Sequence, residues 1–311
     1  MRVASIDIGT NTILLLIAET GGETFKRLLE KETVVRLGEG LQKNGVLSKA
    51  AMIRGYETLS QYLDHCHEMG VRRVYAVGTS ALREAKNSSI FVEMIRDKLN
   101  LSIEVISGEE EAHLSYLAVA RDLGEMAKPT LVIDVGGGST ELVLGKGDRV
   151  IQWVSLPLGL VRFTEQFLIS DPVKEEEWER MRDRIQKVLF EIPKPDEPFL
   201  MVSVGGTGTT LASVEQRLPE FAVEKIHHFV LTKEALQNQL LLYRSKSVDQ
   251  RKWIPGLPPS RADVILAGGT ILDQAMERFQ ASSVLISCHG VRYGLLYQRL
   301  GLEKPISSAQ G

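Results

Sequence analysis

The sequence predicts an α/β protein of two domains built on a repeated unit. Apolar, strand-like runs alternate with segments of helical period along the chain. The strand–turn pattern Asp7-Ile8-Gly9-Thr10 returns as Asp134-Val135-Gly136-Gly137, 127 residues later. That is a domain-sized spacing, far beyond the roughly 20–50 residue period of a solenoid. The 311 residues also suit two domains of about 150 each.

In order, Val3 to Ile8 reads as a strand, Gly9 to Thr12 as a turn, and Ile13 to Ala18 as a strand covered on both faces. A third strand is expected near Phe25 to Leu29. Ser48 is a candidate N-cap for a helix with apolar positions Met52, Tyr56, Leu59 and Leu63. Val71 to Val77 reads as a strand, Phe91, Ile95 and Leu99 as a helical face, and Leu101 to Ile106 as a strand. Ser107 with Glu110 matches a capping box opening a helix towards Arg121. Gly124 to Pro129 is the expected boundary, giving domains 1–123 and 124–311. Beyond it come strands Leu131 to Val135 and Thr140 to Leu144 around the Gly136–Ser139 turn. Asp171-Pro172 is expected to start a helix with cap and first-position proline. Glu175, Glu176 and Glu177 fall in its first turn, and Trp178, Met181, Ile185 and Val188 form its buried stripe. Phe199 to Val204 is a strand, Arg244 to Pro259 a loop, and Ala262 to Phe279 a helix. Val284 to Ser287 is a strand and Val291 to Leu300 a closing helix.

Composition narrows the function. Apolar residues are 43% and charged residues 25% of the chain, ordinary globular material with enough length for a core without staples. A net charge of −3 supplies no global field for non-specific nucleic-acid binding. A polyanionic ligand needs a local basic site or a metal. Two distant cysteines, Cys66 and Cys288, fit a reducing compartment, and no Cys/His cluster suggests structural zinc. The Ile13–Ala18 run is far short of the roughly 20 residues of a membrane span. With no signal-peptide pattern, a cytoplasmic protein without membrane partner is expected.

Three glycine-bearing turns carry the chemistry. In the first, Asp7, Gly9, Thr10, Asn11 and Thr12 combine backbone that can approach phosphate with side-chain donors and a carboxylate able to hold Mg²⁺. A capped hairpin turn competes with that reading. The second is more specific: Gly136, Gly137, Gly138 and Ser139 lie between strands, where three glycines are costly unless the backbone wraps an anion. Asp134 and Glu141 bracket that turn as candidate cation ligands. The third, Gly205-Gly206-Thr207, follows a strand and precedes a helix, a setting for an anion at a helix N-terminus. It matches neither the Walker pattern nor a dinucleotide fingerprint.

Seven stretches, in order, resemble the exopolyphosphatase / guanosine pentaphosphate phosphohydrolase (Ppx/GppA) family of the sugar kinase, heat-shock ATPase and actin superfamily. They are Ser5 to Asn11, Thr79 to Asn87, Ile106 to Ala112, Asp134 to Glu141, Gly205 to Thr207, Arg261 to Gly268, and Gly290 to Gly294. The second and third separate this family from kinases and chaperones that share the glycine turns. The resemblance implies two ribonuclease-H-like (actin-like ATPase) domains with a phosphate-binding cleft between them. It also allows the closing helix, 291–311, to pack back on the first domain. The implied reaction is Mg²⁺-dependent release of terminal phosphate from inorganic polyphosphate or from pppGpp, with Mn²⁺ as another candidate cation. By motif position Glu111 is the general base and Arg83 contacts phosphate. Asp134, Glu141 and Asp7 take the cation. Gly9, Thr10, Asn11, Gly136, Gly137, Gly138, Ser139, Thr140, Gly205, Gly206 and Thr207 cradle phosphate. Successive helical residues point about 100° apart, so Glu109 and Glu110 are expected to serve the helix dipole and the cap instead.

Other signals are weaker. Larger relatives carry further C-terminal domains, so grip on long polyphosphate is an open point. Tyr293 stands where the family commonly has Glu. His227-His228 is expected to be structural, since adjacent extended residues point opposite ways. Lys246, Arg251, Lys252 and Arg261 either guide a polyanion or line a solvated loop, and Cys288 is expected to be packed. No nucleic-acid partner is expected, and a homodimer is left open. The rival classes are a small-molecule kinase and a non-catalytic polyphosphate or nucleotide sensor.

Overall fold

A computed structural model describes residues 1–124 and 128–302. The expected boundary at 124–129 lies partly outside these residues, and the 303–311 part of the expected closing helix wholly so. The chain runs β1 (Arg2–Ile8), β2 (Thr12–Gly21), β3 (Thr24–Val34), α1 (Leu41–Asn44), α2 (Lys49–Glu68), β4 (Arg73–Gly78), α3 (Ser80–Glu84), α4 (Ser88–Leu99), β5 (Ile103–Val105) and α5 (Gly108–Leu123). Next come β6 (Thr130–Val135), β7 (Thr140–Lys146), β8 (Arg149–Leu156), α6 (Leu160–Phe167), α7 (Glu175–Phe190), β9 (Leu200–Val204), α8 (Gly205–Glu215), α9 (Val223–Ile226) and β10 (Val230–Thr232). The chain closes with α10 (Lys233–Arg244), α11 (Val248–Arg251), α12 (Ile265–Phe279), β11 (Ser283–Ile286) and α13 (Val291–Arg299). Of the described residues, 1–124 and 289–302 form one compact unit and 128–288 the other, so α13 belongs to the first.

Each unit holds one mixed sheet, ordered β3-β2-β1-β4-β5 in the first and β10-β11-β9-β6-β7-β8 in the second. In the first, β1–β2 and β2–β3 are antiparallel while β1–β4 and β4–β5 are parallel. In the second, β6–β7 and β7–β8 are antiparallel while β6–β9 and β9–β11 are parallel, with β10 added at the edge. Strand for strand this is one ribonuclease-H-like topology used twice, as the repeated turn predicts. The register carries one asymmetry. Asp7 lies opposite Leu14, whereas Asp134 lies opposite Glu141. Directly opposed residues project from the same face of a sheet, so only the second unit pairs two carboxylates there.

The first unit shows why the sequence reads as it does. Ile6, Ile8, Leu15 and Ile17 pack into one cluster with Leu59 and Tyr62 of α2 and Phe91 and Ile95 of α4. Val3, Leu16 and Ala18 pack into another with Ala118 of α5 and Tyr293, Leu296 and Tyr297 of α13. With both faces covered, alternation disappears and the run from Ile13 to Ala18 is apolar throughout. Each such side chain taken from water contributes about 1.5–3 kcal/mol. Helix α2 begins as expected, with Ser48 Oγ accepting the Ala51 N–H at 3.1 Å. At α5, Ser107 Oγ accepts the Glu110 N–H at 3.1 Å, one arm of the expected box.

Tyr293 has a defined partner. Its hydroxyl donates to Glu30 Oε1 at 2.6 Å, and Arg292 Nη2 reaches the same oxygen at 3.1 Å. Burial works to raise the Glu30 carboxyl, but Arg292, Tyr293 and Arg27 together hold it below its usual value. At Gly294, α13 crosses α5 so closely that a Cβ would fall on the backbone of Leu114.

Several expectations need correction. Asp171-Pro172 does not start a helix: the peptide bond between them is cis, Asp171 Oδ1 accepts the Val248 N–H, and α7 begins at Glu175. Glu175, Glu176 and Glu177 do occupy its first turn. The segment expected as a loop from Arg244 to Pro259 contains α11, whose Ser247–Gln250 capping box is complete, and Arg251 there is buried, donating to the Tyr243 carbonyl at 2.7 Å. Arg261 is likewise buried rather than on a solvated loop. His227 is in extended backbone but His228 is not: its φ is 64°, and the two rings stack at 3.9 Å instead of pointing opposite ways. Local pattern could not reveal these, because distant segments dictate them. Among the described residues no helix is long and apolar enough to cross a membrane, and Cys66 and Cys288 are buried and form no disulfide.

Two outcomes follow for stability. Gly294→Ala should destabilise the chain by about 1–3 kcal/mol in denaturant unfolding, through overpacking against Leu114. Glu30 is held ionised, so its contribution is complete above the ordinary Glu value of about 4.3 and fades as pH falls through the lower folded value. Glu30→Gln should therefore cost about 2 kcal/mol at pH 7, and the gap to the parent should close on acidification.

Candidate active site

In the first unit the site is assembled at the ends of the parallel neighbours β1 and β4. The turn after β1 closes through the Gly9 N–H donating to the Thr12 carbonyl at 2.9 Å. The segment leaving β3 clamps it: the Gly38 N–H donates to the Thr10 carbonyl, and the Val35 and Arg36 N–H groups both donate to the Asn11 carbonyl. Thr10 and Asn11 are buried, yet among the described residues the Thr10 hydroxyl and both polar atoms of the Asn11 amide lack a hydrogen-bond partner. Buried polar groups are rarely left so, and a cluster of them at a turn marks a place where a ligand completes the bonding. Asp7 lies half-buried at the end of β1.

After β4 the chain turns at Thr79 into the short helix α3, which ends with Arg83 and Glu84. Arg83 Nη1 donates to Glu111 Oε2 at 2.6 Å and to the Ile106 carbonyl at 3.1 Å. Both bonds use one nitrogen, leaving Nε and Nη2 of the guanidinium for a ligand. Glu111 is the buried member of its triplet; Glu109 is exposed and Glu110 half-buried. Burial pushes the Glu111 carboxyl above its usual range, and Arg83 and a hydrogen bond from the Thr79 hydroxyl pull it partly back. A carboxylate with raised proton affinity, held in place by a guanidinium, is a stronger base than an exposed one.

In the second unit, the turn after β6 repeats the first, with the Gly136 N–H donating to the Ser139 carbonyl at 3.0 Å. Helix α6 then fixes its orientation. The Leu160 N–H donates to the Gly136 carbonyl, the Val161 N–H to that of Gly137, and Arg162 Nε to that of Gly138, at 3.0, 3.0 and 2.8 Å. The carbonyls are thereby occupied, whereas the N–H groups of Gly137, Gly138 and Ser139 meet no acceptor among the described residues. That arrangement suits an anion. The hydroxyls divide: Thr140 Oγ1 donates to the Leu158 carbonyl and Thr207 Oγ1 to that of Val135, while Ser139 makes no such bond. Thr140 and Thr207 therefore hold the scaffold and offer their backbone.

Asp134 is half-buried at the end of β6, and Glu141, fully buried opposite it on β7, accepts from Ser155 Oγ at 2.8 Å. Paired carboxylates are the hard oxygen donors that Mg²⁺ prefers, so this donor set fits such a cation. Gly205 begins α8 itself rather than a loop before it. Its φ is +79°, and a Cβ there would meet Asp134 Oδ1, so glycine is required on both counts. The Arg261 guanidinium lies against Gly206, a position a side chain would take. Thr79, Arg162 and Ser155 were missed from sequence. Thr79 had a signal, a polar residue directly after a strand within a family-like stretch; the other two are placed only by tertiary contact.

The model of the Ppx/GppA phosphatase family matches residues 16–303. Exopolyphosphatase 2 of Mycobacterium tuberculosis is 32% identical over 96% of this chain and 99% of its own. A bifunctional 3-dehydroquinate synthase/phosphatase of Fusobacterium nucleatum is 33% identical over 91% of this chain, which spans only 44% of that protein. A guanosine-5′-triphosphate,3′-diphosphate pyrophosphatase of Vibrio vulnificus is 31% identical over 96% of this chain and 59% of its own. Among solved structures, the Aquifex aeolicus Ppx/GppA family member superposes with a TM-score of 0.82 at 36% identity, covering 97% of this chain and 98% of that one. An exopolyphosphatase from Cytophaga hutchinsonii superposes with a TM-score of 0.87 at 26% identity, covering 97% and 98%. With its repeated topology, its glycine turns and a match across nearly its whole length, the chain belongs to the Ppx/GppA phosphatase family.

Proposed function

We propose that this chain is an exopolyphosphatase, releasing terminal orthophosphate from inorganic polyphosphate, with the 5′-terminal phosphate of pppGpp as the alternative substrate. The observation that carries the reading is Glu111, a buried carboxylate of raised proton affinity bonded to Arg83 at 2.6 Å. A relative named exopolyphosphatase, 32% identical over 96% of this chain, supports polyphosphate, and the guanosine enzyme at 31% keeps pppGpp as the alternative. A cytoplasmic setting accords with two cysteines that form no disulfide.

Glu111 orients a water and takes its proton as the oxygen attacks the terminal phosphorus. The new O–P bond forms as the bridging O–P bond breaks, and the shortened chain leaves with that electron pair. Arg83 keeps Glu111 in place and turns its remaining N–H groups to phosphate oxygens. Thr10, Asn11 and Ser139 bind through side chains, and Gly9, Gly136, Gly137, Gly138, Thr140, Gly205, Gly206 and Thr207 through backbone or by close approach. In the second unit Asp134 and Glu141 would hold Mg²⁺, or another divalent cation such as Mn²⁺; in the first, Asp7 is the candidate carboxylate for a cation. When bound, the cation neutralises phosphate charge as it builds in the transition state.

Phosphate release from long polyphosphate, short polyphosphate, pppGpp and ATP, measured side by side with Mg²⁺, tests the assignment. Polyphosphate turnover supports it; release from pppGpp alone makes the chain an alarmone phosphatase; no release from any overturns both. Glu111→Gln should lower kcat by about 10²–10⁴ and leave ligand binding nearly unchanged. Asn11→Ala should raise KM roughly tenfold or more, the worth of one hydrogen bond to a charged group. The acid limb of the parent's pH–rate profile should lie above the ordinary Glu value of about 4.3, because the base must be ionised and burial raises it.

A further inference from the structure

We propose that Ser155 is a positioning residue for Glu141, its hydroxyl fixing the carboxylate in the orientation in which Glu141 and Asp134 together take a divalent cation. The proposal rests on the reading of Asp134 and Glu141 as that cation's carboxylates. The register of β6, β7 and β8 sets Asp134 opposite Glu141, and Glu141 opposite Ser155. Directly opposed residues share a face of the sheet, with Cβ atoms about 4.5–5.5 Å apart. The three side chains therefore form one row across three strands. Within that row Ser155 Oγ donates to Glu141 Oε1 at 2.8 Å, the length of a well-formed O–H···O bond.

Two ionised carboxylates on one face repel, and a glutamate has several side-chain torsions through which to swing away. Serine has a single torsion to its oxygen, and the β8 backbone that carries it is paired to β7 on either side, Val154 with Leu142 and Leu156 with Thr140. A donor on so short an arm pins Oε1 and thereby sets the plane of the Glu141 carboxylate. Ligands oriented before the cation arrives lose less freedom on binding it, which is how residues behind a metal's ligands raise affinity. The first unit shows that the topology itself does not demand this row. The matching positions on β1, β2 and β3 are Asp7, Leu14 and Glu32, paired in the same way. There the middle residue is apolar, and Glu32 is exposed. Glu141 is 1% exposed, and burying a carboxylate carries a cost that a leucine avoids; buried charges are paired or hold metals.

The test is Mn²⁺ binding to the whole chain without substrate, read from the loss of the free-ion electron paramagnetic resonance signal. Ser155→Ala removes the donor, Ser155→Thr keeps it, and Ser155→Cys, a weak donor of similar size, serves should the alanine variant not fold. Alanine is expected to weaken Mn²⁺ binding about tenfold, within the roughly 10–100-fold range for residues behind a metal's ligands. Threonine should return it close to the parent, and cysteine should fall on the alanine side. The Mg²⁺ concentration giving half-maximal phosphate release should rise in the alanine variant by a similar factor. A folded alanine or cysteine variant that binds Mn²⁺ as the parent does overturns the proposal, even if its stability or turnover falls. Glu141→Ala separates the two readings. If it binds Mn²⁺ as the parent does, the carboxylate assignment itself is lost; if it loses the ion while Ser155→Ala does not, only the role of Ser155 is.

Discussion

A carboxylate taken out of water is tolerated only where donors meet it, and the candidate site of the first unit is arranged around that demand. Glu111 is 8% exposed, and it stays in place because the Arg83 guanidinium reaches it. That donor sits in the last turn of the five-residue helix α3. The Arg83–Ile106 bond ties that helix to the strand end before α5, and the Thr79 N–H, donating to the Ile8 carbonyl, ties it to the strand end before the Gly9 turn. The turn with its orphaned Thr10 and Asn11 and the helix with its buried glutamate are thus fixed to one another by backbone pairing of β1 with β4.

The second unit solves a different problem with the same topology. Three glycines in a turn are conformationally loose, and α6 removes that freedom by donating its first N–H groups to the loop carbonyls. Helix α6 satisfies its own terminal donors, which would otherwise be unpaired, by the same contacts. The two units have diverged at one register position: the partner of the strand-end aspartate is Leu14 in one and Glu141 in the other. A duplicated scaffold has kept its turn in both copies and its paired carboxylates in one.

Much of this was legible in the sequence, for identifiable reasons. Strands β1, β2, β6 and β7 announce themselves because residues buried on both faces give continuous apolar runs. The glycine turns stand out because glycine is costly where backbone need not approach a ligand. The family motif singled out Glu111, the helical rotation between neighbours argued that Glu109 and Glu110 do not share its role, and burial divides the three the same way. Tyr293 stood out as a departure, but its partner Glu30 lies more than 260 residues away and no local pattern points to it.

What the sequence determined alone was therefore set by short-range physics: periodicity, turn chemistry and the spacing of residues that share one element. What only the tertiary structure decided were the partnerships. Thr140 and Thr207 spend their hydroxyls on carbonyls while Ser139 does not, because Leu158 and Val135 happen to lie within reach. Arg261 is buried against Gly206, and Asp171 serves α11 rather than α7, because segments far apart in the chain meet there. A hydrogen bond depends on where two atoms lie to within a few tenths of an ångström, and only the packed chain specifies that.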